Sequence, residues 1–256
     1  MTNGLLCTTF NRSGLVRILS ETAPGAIDPK YDFGERLGQW LDFSDALALF
    51  SALNRGAWTV PLAPVSGQAS TLHEQLARVR RNLSESIVND GVFGAEPARI
   101  CFPTPLPDTP ADSAPDFTPW HRFYLAHQRD MSAAIEALRA NARKALAAGE
   151  ASRRPLAELD ATFEKALAGR ERNLLGTIPM LLAQRFARRY QEHRASLRPD
   201  ASDDAANWAA PGGWLEAFCR DTQAVLLAEL ELRLKPVAGL IAALGDAGES
   251  IEITQP

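Results

Sequence analysis

Three long segments between Pro119 and Leu244 hold their apolar residues at steps of three and four, and that spacing commits the chain to helices that need cover. Trp120, Tyr124, His127, Met131, Ile135, Leu138 and Ala142 form the first series. Leu156, Leu159, Phe163, Ala166, Arg170, Leu174, Ile178, Leu182 and Phe186 form the second, and Leu226, Leu230, Leu234, Val237, Ile241 and Leu244 the third. Such steps return side chains to one side of a helix, so each segment carries an apolar stripe that must bury against a neighbour. Arg170 interrupts the middle stripe. Its stem is expected to pack while the guanidinium reaches solvent or pairs with Glu171, Asp221 or another carboxylate. The sharper alternative is a buried ion pair that fixes the register of the helix.

The breaks between these stripes give the organisation. A short amphipathic helix is expected over 11–20, and a second over 29–53 with Asp28 as its cap and Pro29 at its first turn. Gly56, Pro61, Pro64 and Gly67 mark a loop, after which 70–89 reads as a third helix. Pro97, Pro103, Pro105, Pro107, Pro110 and Pro115 then remove backbone donors at a density no helix tolerates. The stretch 91–117 is therefore a proline-rich linker between subdomains, or a lasso pinned to the bundle by Ile100, Phe102 and Leu106. Thr118 and Pro119 restart a helix that runs to Ala148. The next begins near Ser152 and Pro155 and extends to Arg194, with a kink near Gly176 and Thr177 imposed by Pro179. A last long helix starts at Trp214, and Pro236 starts or bends a final piece to Leu244.

No segment alternates in the manner of a strand. The fold predicted is all-α, a bundle of about six to eight helices with long antiparallel helices in the C-terminal half. The division predicted is an N-terminal helical subdomain over 1–90, the linker 91–117, a C-terminal bundle over 118–246 and a flexible tail over 247–256.

A hydrophobic content of 46% over 256 residues suffices for a sizeable core. The net charge of −4 argues against a general nucleic-acid binder, but the sign is uneven. Thr118 to Ser196 carries 14 basic against 8 acidic residues, and Asp200 to Pro256 carries 3 against 10. Faces that neutralise one another across a helix interface, or that simply stay solvated, account for this more simply than a basic groove for an acidic partner does. Cys7, Cys101 and Cys219 are too far apart for metal-ligand spacing and form no disulfide framework, which suits a reducing compartment. The first residues lack a basic region followed by an unbroken apolar run, and no window reaches the ~18 apolar residues of a membrane span. A cytoplasmic protein without direct membrane insertion is expected.

The residues for chemistry do not converge. His121 and His127 are six apart and lie on different helix faces, so they form no metal pair. His127, on the first stripe, reads as a buried structural histidine. There is no HExxH, no GxSxG elbow and no glycine-rich phosphate loop. Asp203 and Asp204 fall in a polar loop that a solvated turn explains. No catalytic, cofactor-binding or metal-binding residue is assigned, and no cofactor is expected.

What remains is surface. Trp214, Phe218, Val225, Leu227 and Leu232 exceed a single stripe on the last long helix and form the candidate partner face, with homodimerisation as its simplest use. Against this stands the simpler account of a central helix that is apolar on most sides. Arg185, Arg188 and Arg189 join them as candidate partner-binding residues. With Arg78, Arg80 and Arg81 they supply the alternative of a binder of nucleic acid or acidic protein, although cations near a helix end also suit the dipole. The leading expectation is a non-enzymatic helical interaction or scaffold protein, because the information lies in long stripes and not in convergent polar groups. An enzyme with an unfamiliar site ranks below both.

FNRSGLVRIL, FGERLGQWLDFSDALAL, PWHRFYLAHQRDM and WLEAFCRDTQAVLLAELELRLKPVAGLIAAL resemble the bacterial family of domain of unknown function 3348, and the resemblance covers nearly the whole chain. That resemblance implies no established activity and no catalytic residue. It implies a cytoplasmic accessory role in a membrane-associated assembly.

Overall fold

The computed structural model describes residues 14–22, 40–54, 66–89, 99–104, 115–149, 153–198 and 203–245. They form seven α-helices and one short 3₁₀ turn, Ala205–Asn207, with no strand among them. We number the helices α1 (Gly14–Thr22), α2 (Phe43–Asn54), α3 (Ser66–Val88), α4 (Thr118–Ala148), α5 (Arg154–Leu175), α6 (Ile178–Ser196) and α7 (Trp214–Gly245). The expected cap at Asp28, the pinning residue Leu106 and the tail over 247–256 lie outside the described residues.

Several boundaries differ from the sequence reading, each for a local reason. The long second helix is interrupted at Leu41 and Asp42, and Asp42 caps α2 by accepting the Asp45 amide on Oδ1 at 2.7 Å. Its own carbonyl accepts the Ala46 amide at 2.9 Å. At α4 the capping side chain is Asp116 and not Thr118: Asp116 Oδ1 accepts both the Thr118 amide at 3.0 Å and its hydroxyl at 2.9 Å. Pro179 breaks the helix where a kink was expected. α5 ends at Leu175, Gly176 and Thr177 form a turn, and α6 restarts with Pro179 in its first turn, where a missing N–H costs nothing. Pro236 does the reverse. It lies inside an unbroken α7, flanked by Leu234, Val237 and Ile241, all fully buried, so packing holds the helix through the lost hydrogen bond.

The chain forms two compact units, each drawing on segments from both sides of the 91–117 stretch. One comprises 1–32, 82–131 and 174–232; the other comprises 33–81, 132–173 and 233–256. The reason is visible in the stripes: α4 and α7 each carry buried residues from end to end, so each supplies core residues to both units.

In the first unit the core is aromatic. Phe186 of α6 meets Trp120 at 4.5 Å between ring centroids, Phe218 at 5.1 Å and Trp214 at 5.1 Å. Phe102, from the proline-rich stretch, is buried edge-on to Phe123 at 5.2 Å, so this part of the stretch is pinned to the unit in the manner of a lasso. α1 lies against α6 in the same unit. Trp208 closes the loop before α7. Its indole is buried beside Tyr190 and Trp214, and its carbonyl accepts the Leu215 amide at 3.0 Å and the Glu216 amide at 3.3 Å. Two orphan donors of α7 are thereby satisfied by backbone. Gly213 makes this approach possible, since a Cβ there would stand 2.2 Å from the Trp208 carbonyl oxygen.

In the second unit the core is aliphatic: Leu49 and Ala52 of α2, Leu72 of α3, Leu138 and Leu146 of α4, and Leu234, Val237 and Ile241 of α7. α4 and α5 are joined here by a charged lattice. Arg139 and Arg143, one turn apart, face Asp160 and Glu164, one turn apart, with Arg143 Nη1 at 2.6 Å from Glu164 Oε2. Arg170 plays no such part. It is exposed, as are all residues from Gly169 to Leu174. The expected packing of its stem and the buried register-setting pair are both corrected by that exposure.

Candidate functional site

Most of the side chains singled out from the sequence as a partner face are core. Trp214, Phe218 and Val225 are buried in the first unit, and only Leu227 and Leu232 keep partial exposure. The partner-face assignment is corrected for the three buried residues. α7 is apolar on most sides because it is enclosed on most sides. Arg185 and Arg189 both place Nε on Asp221 Oδ2 of α7, at 2.8 and 2.7 Å. One carboxylate of the acidic C-terminal segment thus neutralises two cations of the basic segment, a structural use of the charge asymmetry. Arg188 is half-buried on the same helix. Arg78, Arg80 and Arg81 are exposed on α3 and belong to the second unit, whereas the α6 arginines belong to the first.

The polar groups that do converge sit in the first unit. Glu229 is fully buried, and its carboxylate accepts the Tyr124 hydroxyl at 2.6 Å and the Gln128 amide at 3.0 and 3.1 Å. Gln128 also donates to the Leu175 carbonyl at 3.2 Å, which ties the end of α5 to α4. Buried polar groups joined in this way specify one alignment of helices. His127, one residue away, is buried as its position on the stripe implied, edge-on to Phe123 at 4.7 Å. A second convergence surrounds Asp203, whose Oδ1 accepts the Trp208 indole N–H at 2.7 Å and faces His193 Nε2 at 2.9 Å. Burial works against ionisation of this carboxyl, but the hydrogen bonds from His193 and Trp208 and the charges of His193 and Arg194 outweigh it, and the group is held below the ordinary carboxylate range. Asp203 is therefore no solvated turn residue but the anchor of the loop before α7. Among the described residues no group of three or more His, Cys, Asp or Glu is placed to hold a metal ion.

The anomalous surface belongs to α2. Phe43 is 85% exposed, Leu47 54%, Phe50 62% and Leu53 45%, while Leu49 and Ala52 on the other side are buried in the second unit. At helical spacing the four open side chains fall within about 120° of the circumference, along a helix about 18 Å long. Asp45 is the only charged residue between Phe43 and Asn54. The start of this helix is fixed by Asp42, whose carboxyl is held below its ordinary range chiefly by the hydrogen bond from the Asp45 amide. The sequence did carry the signal. A helix with a wide apolar face needs cover over much of its circumference, and both α2 and α7 have such a face. What the sequence alone did not show is which of the two is enclosed.

Among the described residues no helix is long and apolar enough to cross a membrane. No curated protein and no solved structure matches the chain. The sequence profile of one family matches residues 1–246, close to the whole length, in agreement with the resemblance carried by the four stretches quoted above. The chain belongs to the family described as protein of unknown function (DUF3348).

Proposed function

We propose that this protein is a non-enzymatic helical interaction protein that docks through α2. The observation behind this reading is the open face of Phe43, Leu47, Phe50 and Leu53 on a helix whose opposite side is anchored in a packed core. Scattered exposed apolar residues need no explanation, but a contiguous row of four on one helix exposes on the order of 400 Å² of apolar surface, the size at which such patches mark binding sites. The large polar networks elsewhere all have a structural account. Glu229 locks α4 to α7, Asp221 locks α6 to α7, and Arg139 and Arg143 lock α4 to α5.

The test is quantitative affinity capture from native cells with the intact chain and with the double variant Phe43→Ser/Phe50→Ser. Both substituted positions are exposed, so circular dichroism and melting should match the parent. The expected result is a defined set of captured proteins that the double variant loses. Identical capture by both proteins would overturn the reading.

A further inference from the structure

We draw no further inference here: the strongest candidate, the open apolar face of α2 formed by Phe43, Leu47, Phe50 and Leu53, carries nothing beyond the docking role already proposed, because nothing in the structure shows what covers it.

Discussion

Arg139 of α4 holds Asp160 of α5 by two parallel hydrogen bonds, Nε to Oδ2 at 2.9 Å and Nη2 to Oδ1 at 2.7 Å, with both side chains less than one-fifth exposed. The planar guanidinium matches the carboxylate edge, which gives direction as well as attraction. Arg143 and Glu164 repeat the pairing one turn further along each helix and cross-link with the first pair, so the two helices cannot slide without breaking the whole set. This lattice, and not Arg170, sets the register of α5 in the second unit.

Replacing Arg139 by Ala should cost about 2 kcal/mol, because it leaves Asp160 half-buried with only the longer contact to Arg143. Arg139→Lys should recover less than half of that, since an ammonium cannot form the parallel pair. Urea unfolding followed by circular dichroism reads both values. A double-mutant cycle with Asp160→Ala should show a coupling on the order of 1 kcal/mol, and zero coupling would remove the lattice from the account of register.

The stripes of α4, α6 and α7 were legible in the sequence because the apolar positions on them are covered: Trp120, Tyr124, Met131 and Leu138 are all buried, as are Ile178, Leu182 and Phe186, and Leu226, Leu230, Leu234, Val237, Ile241 and Leu244. Helical spacing reports which residues share a face, however, and not whether a neighbour is present on it. Arg170 and Leu174 keep the helical spacing and are exposed, and α2 and α7 both carry wide apolar faces while that of α2 is left half open and that of α7 is buried. The same limit hid the two-unit division. Proline density at 91–117 is a local property, whereas α4 and α7 serve both units through contacts distant in sequence. The lattice of Arg139, Arg143, Asp160 and Glu164 did leave a trace, as two basic and two acidic residues each spaced by four on successive helices. Asp203 left none, because its role depends on Trp208 and His193 converging from either side of it.

Gly213 should tolerate no side chain. A Cβ at this position would stand 2.2 Å from the Trp208 carbonyl oxygen and 2.7 Å from that of Asn207, both backbone atoms that cannot rotate away. Relief requires the loop to lift, which would part the Trp208 carbonyl from the Leu215 and Glu216 amides and expose the indole. Gly213→Ala should therefore cost about 2 to 4 kcal/mol. The adjacent Gly212 has a φ of +84° with open space around it, so Gly212→Ala carries only the cost of the left-handed backbone, about 1 kcal/mol. Tryptophan fluorescence during thermal unfolding compares the two, and equal losses would show that the close approach at Gly213 is not what holds the loop.

The anchoring of Asp203 should make the first unit sensitive to acid. Its carboxyl is held below the ordinary value of 3.8 in the folded chain, because hydrogen bonds from His193 and Trp208, with the charges of His193 and Arg194, outweigh the effect of burial. A carboxylate with a depressed folded pKa binds fewer protons than it does in the unfolded chain. Its stabilisation is therefore complete above the unfolded value and fades as pH falls from about 5 toward 3. Asp42, Asp116 and Glu216 are also held low, by backbone hydrogen bonds first of all, and they lend the parent protein a slope of the same sign. Comparison with Asp203→Asn isolates the contribution of Asp203. The asparagine side chain oxygen can still accept the Trp208 N–H but gains nothing from ionisation, so the variant should be less stable than the parent at pH 7. The gap should shrink on acidification. Urea midpoints measured at half-unit steps between pH 7 and pH 3 decide it, and a gap that stays constant across that range would show that Asp203 holds the loop by shape and not by charge.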